Sequence, residues 1–345
     1  VLVFPTDDLV VYAVGKHALW KSKDGGTTWA QQGAVPIGGS ITTDPRDVQT
    51  MYALSTDSKS VLKSTDGGVT WRVLLTETDL LYQVVADWDT PGLLYTGGYG
   101  GAILRSRDGG SSWEKAWSIG LYSGFSSPIV FPIATLRGVP GLVVAGLHLY
   151  HGGALLVSTD AGTTWTSGHG YTLDRIELSY DGPSVFALGG TGAVEPTIYL
   201  AEAIPTTSDS ALLRGDHLGG TWTNIVAGLP LATPPYPPNQ GLFGPRVISL
   251  LALPRGSNRV YAALGATFPD STSVRDALRT AVVASDDRGG TWHELGHLDP
   301  HVATSLSLAP VMNLLYAATD EGVYRFNLGM TAPALPRTGA GGACR

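Results

Sequence analysis

The chain has 345 residues, a formal net charge of −7, 45 glycines, 22 prolines and one cysteine, Cys344. The acidic balance, with no basic run, disfavours a nucleic-acid-binding surface. A single cysteine excludes a disulfide framework and a cysteine-rich metal site. The many glycines and prolines indicate a chain with many tight turns.

The first residue is Val1, inside a strand-like run and without a methionine before it. We therefore expect an upstream segment, such as a cleaved export signal, and an extracytoplasmic protein that is secreted, periplasmic or on the cell surface. No stretch of the sequence is long and apolar enough to span a membrane as a helix.

Short apolar runs bounded by turn residues recur along the chain, and each is typical of a β-strand. We predict that seven of them are the second strands of seven successive blades of three to four antiparallel strands. In chain order they are residues 9–13, 50–54, 93–96, 143–146, 184–188, 259–263 and 314–318. Residues 1–4 are the predicted first strand of blade 1, and blade 7 ends near residue 328.

An eight-residue word, S-x-D-x-G-x-[TS]-W, follows the third strand of most blades, and we call each copy a box. Five close copies occupy residues 22–29, 64–71, 106–113, 158–165 and 285–292, and a degenerate copy occupies 215–222. The tryptophans of the first three copies are 42 residues apart, a period typical of repeat architectures. The residues with predicted structural roles are Ser22, Asp24, Gly26, Trp29, Ser64, Asp66, Gly68, Trp71, Ser106, Asp108, Gly110, Trp113, Ser158, Asp160, Gly162, Trp165, Trp222, Ser285, Asp287 and Trp292.

The composition of the box predicts a β-hairpin that closes itself. Its glycines permit the positive φ that a tight turn needs. The Asp carboxylate can accept hydrogen bonds from backbone N–H groups just ahead of it, and the Ser and Thr hydroxyls can reinforce the turn. The Trp can pack against its own blade or the next one. These aspartates are therefore predicted to lock turns and not to act as catalytic acids or metal ligands.

The word resembles the Asp box, or bacterial neuraminidase repeat. The families that carry it include sialidases, two-propeller xyloglucanases, sortilin-type receptors and photosystem II assembly factors, and all of them build β-propellers. The resemblance implies an all-β fold with a single seven-bladed β-propeller of four-stranded antiparallel blades. In size and blade number the chain is most similar to the photosystem II assembly factors, with sialidases and sortilin-type receptors as more distant relatives.

The predicted propeller covers residues 1–328, and residues 329–345 form a tail rich in proline and glycine. The tail contains Leu335-Pro336-Arg337-Thr338-Gly339, a string similar to a sortase anchoring signal that lacks the usual apolar segment behind it. Surface anchoring is therefore a minor hypothesis.

The long loops indicate where a partner binds. In a propeller, the connections between second and third strands share one face with the connections between blades. The extra residues here, at 118–128, 148–151, 191–210, 229–246 and 267–279, all fall on that face over blades 4 to 6. Loops that expand on one face of a rigid scaffold often carry function. The binding-face candidates are Tyr122, His148, Tyr150, His151, Glu195, Tyr199, Glu202, Tyr236, Arg246, Asp270, Arg275 and Arg279.

Two chemical alternatives depend on the same loops. A metal site near His148 and His151 is weakly indicated, and we predict no metal or other cofactor. A glycoside hydrolase would need two carboxylates across a cleft, and Glu195, Glu202, Asp209, Asp270 and Asp276 offer candidates. The Phe/Tyr-Arg-Ile-Pro signature of sialidases is absent near the N-terminus, which disfavours that family.

The leading functional prediction is therefore an exported, non-enzymatic scaffold. It would dock a protein or a glycan through the enlarged face, as an accessory or assembly subunit of a membrane or surface complex. A carbohydrate-active hydrolase on the same face is the alternative.

Overall fold

The structure, a computed structural model, describes most of the blades and leaves out parts of several connections and the tail. The described residues are 1–4, 7–15, 18–34, 36–120, 128–149, 152–167, 185–190, 196–203, 210–216, 221–225, 229, 246–253, 258–265, 280–298, 301, 303–319 and 321–328. No helix in these ranges is long and apolar enough to cross a membrane.

The described part of the chain is all β and forms seven antiparallel sheets, each built from consecutive strands. Six sheets have four strands, and the seventh has three strands within the described ranges. This confirms the predicted fold class, a seven-bladed β-propeller with each sheet as one blade. The chain divides into two compact units, one with blades 1 to 4 and one with blades 5 to 7.

The first unit, Val1–Glu177, contains sixteen strands in four blades. Blade 1 has β1 (Leu2–Phe4), β2 (Asp7–Val14), β3 (Ala18–Ser22) and β4 (Ala30–Ala34). Blade 2 has β5 (Ile37–Asp44), β6 (Asp47–Ser55), β7 (Ser60–Ser64) and β8 (Arg72–Thr76). Blade 3 has β9 (Leu81–Ala86), β10 (Leu94–Gly98), β11 (Ala102–Ser106) and β12 (Glu114–Ser118). Blade 4 has β13 (Ile129–Thr135), β14 (Val143–Leu149), β15 (Gly152–Ser158) and β16 (Thr166–Ser167).

The second unit, Leu178–Arg337, contains the remaining eleven strands. Blade 5 has β17 (Val185–Gly190), β18 (Pro196–Ala203), β19 (Ser210–Asp216) and β20 (Thr221–Asn224). Blade 6 has β21 (Arg246–Ala252), β22 (Val260–Gly265), β23 (Ala281–Ser285) and β24 (His293–His297). Blade 7 has β25 (Ala303–Ala309), β26 (Leu314–Thr319) and β27 (Val323–Asn327).

Blade 5 corrects one prediction about strand order. The run at residues 184–188, predicted to be the second strand, belongs to β17, the first strand of its sheet. The true second strand is β18, which lies inside the stretch 191–210 that was predicted to be a loop insertion. That prediction was wrong, because the apolar run at 198–201 pairs with strands on both sides.

A buried tyrosine marks the second strand in most blades. Tyr12, Tyr52, Tyr95, Tyr261 and Tyr316 are all fully buried. In blade 2, Lys63 on the neighbouring strand stacks over the Tyr52 ring at 5.2 Å and donates to Gly109 O of the blade 3 box at 3.2 Å. In this blade, the buried tyrosine of the second strand thus supports a lysine of the third strand that bonds the following box.

The five close copies of the box adopt the predicted self-closing hairpin. In each, a buried Ser hydroxyl accepts a glycine N–H at 2.7–2.9 Å and donates to the Asp carboxylate at 2.7–2.8 Å. The same carboxylate accepts the backbone N–H four residues ahead at 2.7–2.9 Å. In blade 2, Trp71 packs against the core formed by Tyr12, Leu19 and Met51, and its Nε1 donates to Gly68 O at 3.0 Å.

The boxes predict how stability depends on pH. Hydrogen bonds from hydroxyl and N–H donors lower the pKa of Asp24, Asp66, Asp108 and Asp287 to about 2, and they also lower the pKa of Asp160. A carboxylate whose folded-state pKa is depressed stabilises the fold above its unfolded pKa, near 3.9. That stability is lost as the pH falls towards the folded value. We expect urea midpoints to be flat from about pH 7 to 5 and to fall steeply between about pH 4 and 2.

Salt separates this effect from general charge repulsion at low pH. Hydrogen bonds within a box are short-range, so 0.5 M NaCl should leave the fall in place, whereas repulsion between distant charges would be screened. A decline that begins near pH 6, or one that salt abolishes, would contradict this account of the boxes.

Candidate functional site

Most of the predicted binding-face residues lie outside the described ranges. These are Tyr122, Tyr150, His151, Glu195, Tyr236, Asp270, Arg275 and Arg279. Glu202 and Arg246 lie in β18 and β21, and their side chains are outside what the structure describes. The predictions for these residues stay predictions.

Tyr199, another candidate, is a core residue. It is 2% exposed, lies in β18 and packs with Leu212, Ile225 and Val260. Its place in the blade matches the buried second-strand tyrosines, and burial raises the pKa of its hydroxyl. Because its ring is enclosed, Tyr199 does not form part of an exposed binding surface.

His148 lies near the end of β14 and is half-buried. Its Nε2 is 2.6 Å from the carbonyl oxygen of Phe131 in β13, and burial lowers its pKa. Nowhere in the described ranges do three or more His, Cys, Asp or Glu side chains come together to hold a metal ion.

A cluster of exposed and half-buried apolar side chains lies beside His148, on the face that carries the connections between blades. We define this aromatic patch as Leu80, Tyr82, Tyr99 and Phe131. Leu80, Tyr82 and Tyr99 are 37%, 36% and 39% exposed. The Tyr82 ring is 5.6 Å from that of Tyr99 and 5.9 Å from that of Phe131, tilted by 42° and 58°. Large apolar side chains that are both clustered and exposed are typical of binding surfaces.

The patch is assembled from three separate parts of the first unit. Tyr82 lies in β9, Phe131 lies in β13 of the next blade, and Tyr99 follows β10 in the turn before β11. The N–H of Tyr99 donates to Leu80 O at 2.9 Å, and Tyr99 forms an isolated antiparallel bridge with Ile129. A backbone hydrogen bond and a β-bridge therefore hold the main chain beneath the patch.

The polar groups of the patch are hydroxyls and one carboxylate. Burial and a hydrogen bond with Tyr99 raise the pKa of Tyr82 to about 12, so its hydroxyl stays protonated at neutral pH. The exposed carboxylate of Asp79 lies close to Gly100, since a Cβ added to Gly100 would be 3.0 Å from Asp79 Oδ2. Aromatic faces with a few convergent donors and acceptors can bind a ligand that is itself part apolar and part hydroxylated.

The four residues of the aromatic patch were not among the predicted binding-face residues. Those candidates came from the long loops over blades 4 to 6, whereas the patch is built from short turns and first strands of blades 3 and 4. Tyr99 could have been identified from the sequence. It lies directly before Gly100-Gly101, and a tight turn of glycines has no side chains that would bury the tyrosine ring.

Comparisons with known proteins support the fold. No family model matches the chain. A xyloglucanase from Paenibacillus sp is 28% identical over 204 residues, a match that covers 48% of this chain and 20% of that protein. The chain thus spans about a fifth of the length of this curated relative.

Two solved structures are also similar. The GH74 xyloglucanase from Xanthomonas campestris matches with a TM-score of 0.67 at 17% identity, over 95% of this chain and 51% of that chain. YCF48 bound to a D1 peptide matches with a TM-score of 0.47 at 15% identity, over 95% of both chains. The likeness to the xyloglucanase structure, at 17% identity, establishes the fold alone, since one fold carries many functions.

Proposed function

We propose that this chain is a binding propeller of the Asp-box type that holds a polysaccharide on its aromatic patch, outside the cytoplasm. The observation that carries the proposal is the cluster of Tyr82, Tyr99 and Phe131, in which the Tyr82 ring packs against the other two rings and both tyrosines are exposed to solvent. A surface that is already ordered loses little entropy when it binds.

The chemistry of the patch favours a glycan over a protein. The C–H faces of a pyranose ring pack well on the negative face of an aromatic ring. Tyrosine hydroxyls and the Asp79 carboxylate can bond the sugar hydroxyls at the ring edges. A protein partner would more often require a wider apolar core with a polar rim. Because the curated relative is a xyloglucanase, xyloglucan is the first polymer to test.

Hydrolysis of the same polymer is the second candidate function, favoured by that relative. A glycosidase needs a pair of carboxylates about 5 to 10 Å apart. Glu195, Glu202, Asp209, Asp270 and Asp276 stay the predicted candidates for such a pair. Release of reducing ends from the polymer separates this function from binding alone.

The test is calorimetric titration with xyloglucan oligosaccharides, alongside a panel of other soluble polysaccharides. We expect Tyr82→Ala to weaken the affinity about five- to thirtyfold, because removing one well-packed aromatic contact costs about 1–2 kcal/mol. Tyr99→Ala should do the same.

The control is Val69→Ala, which removes an apolar side chain that is 55% exposed in the box of blade 2. It should leave the affinity within about twofold, since surface substitutions remote from a contact change little. The proposal fails if no polysaccharide binds, or if Tyr82→Ala and Val69→Ala bind equally well. Capture of a defined protein through the patch would instead support the scaffold hypothesis.

A further inference from the structure

Phe131 occupies a break in the pairing of its strand. Val130 pairs with Leu147 and Ile133 pairs with Ala145, so Phe131 and Pro132 together face the single residue Gly146. Such a β-bulge bends the strand and re-aims a side chain, and bulges occur often next to functional sites. Here the re-aimed side chain is the Phe131 ring of the aromatic patch.

The bulge leaves backbone groups without their usual partners. Proline has no N–H, so it does not donate to the ladder. The carbonyl oxygen of Phe131 instead accepts from His148 Nε2 at 2.6 Å. His148 is itself anchored, since its backbone pairs with Ile129 on one side and Gly153 on the other. An imidazole on a strand that is paired on both sides therefore holds the bulged peptide in place.

We infer that His148 is a positioning residue for the aromatic patch. By bonding the Phe131 carbonyl it sets the direction of the bulge and keeps the Phe131 ring against Tyr82. This inference rests on the proposed polysaccharide site, and it assigns to His148 a role through Phe131 and not through contact with ligand or metal. The lowered pKa of His148 is consistent with a neutral ring whose proton is on Nε2.

Two substitutions separate the hydrogen bond from the bulk of the ring. His148→Leu fills similar space but has no donor, whereas His148→Gln keeps an N–H donor at a comparable distance from the backbone. We expect His148→Leu to weaken binding of xyloglucan oligosaccharides about fivefold and His148→Gln to stay within about twofold of the parent. Fivefold corresponds to about 1 kcal/mol, the contribution of one ordinary hydrogen bond.

A readout without ligand keeps this inference distinct from the proposed function. Nuclear Overhauser contacts between the Tyr82 and Phe131 rings, measured with selectively labelled Tyr and Phe, should be present in the parent and His148→Gln and lost in His148→Leu. If the ring contacts follow this pattern and no oligosaccharide binds, the proposed function is wrong and the positioning role stands. If the parent binds and His148→Leu keeps both the contacts and the affinity, the inference is overturned.

A general loss of stability is controlled by Ser249→Ala. Ser249 lies in blade 6, and its hydroxyl accepts Leu306 N–H at 3.1 Å in a buried setting. Its removal should destabilise the protein while leaving the affinity and the ring contacts unchanged. An equal loss of affinity in Ser249→Ala would also overturn the inference. Should His148→Leu not fold, His148→Asn replaces it, because the shorter amide does not reach the Phe131 carbonyl.

Discussion

Gly98→Ala is expected to destabilise the protein by at least about 3 kcal/mol, as measured by urea unfolding. Gly98 ends β10, where a Cβ would lie 1.9 Å from Leu80 O and 2.8 Å from Leu81 Cα. Both obstacles are backbone atoms, so no side-chain rotation relieves the overlap. The strand or the connection before β9 has to move.

The same substitution should also impair the aromatic patch. Leu80 O, the atom that the new methyl group would strike, is the acceptor for the Tyr99 N–H. Any movement that relieves the clash therefore displaces Tyr99 and Leu80 relative to Tyr82. We expect affinity for xyloglucan oligosaccharides to fall at least about tenfold, even at temperatures where the variant is folded.

Gly39→Ala is the matched control for this prediction. Gly39 is also a strand glycine, in β5, and nothing lies within 4 Å of the place where its Cβ would be. It should be neutral or slightly stabilising, because alanine restricts the unfolded chain more than glycine does. Comparable losses in the two variants would mean that the crowding at Gly98 is not what makes glycine necessary there.

The boxes and most strands could be predicted because their causes are local. Ser64, Asp66, Gly68 and Thr70 bond to one another within a few residues, so the sequence contains the whole hairpin. Six of the seven second strands were also predicted correctly, because each is a short apolar run beside turn residues.

Blade 5 was misjudged because apolar alternation does not distinguish neighbouring strands. Residues 185–188 and 198–201 are equally apolar, and spacing to the degenerate box allowed either to be second. The difference lies in Tyr199, which occupies the position of Tyr12, Tyr52 and Tyr95 in other blades. A tyrosine pattern, and not hydrophobicity alone, would have identified β18.

The aromatic patch could not be predicted because it depends on contacts between distant residues. Tyr82 and Phe131 are far apart in sequence and meet only because blades 3 and 4 are adjacent and β13 is bulged. Nothing in the run Ile-Val-Phe-Pro-Ile fixes the direction of the Phe131 ring. Binding residues in a propeller therefore emerge from the way blades pack, whereas the blades emerge from local sequence.

Ser64→Ala is the second substitution with a large expected effect, about 2–3 kcal/mol of unfolding free energy. Ser64 is 1% exposed, accepts Gly68 N–H at 2.9 Å and donates to Asp66 Oδ1 at 2.7 Å. Without the hydroxyl, the buried Gly68 N–H is left unsatisfied, which costs about 1–3 kcal/mol. Asp66 also loses the donor that orients it towards Thr70. Because the same bonds recur, Ser22, Ser106, Ser158 and Ser285 should show losses of similar size.

Ser60→Ala provides the comparison within the same strand, β7. Its hydroxyl contacts only the exposed Thr76 Oγ1 at 3.0 Å and the expected change is within about 0.5 kcal/mol. Equal losses at positions 60 and 64 would show that the box hydrogen bonds do not carry the stability.

The boxes follow the third strands, at the end of each blade opposite the aromatic patch. Ser64→Ala should therefore lower the free energy of unfolding without changing the affinity for oligosaccharides. Tyr82→Ala should lower the affinity without changing the free energy of unfolding. That opposite pattern would separate the residues that build the propeller from those that give it a function.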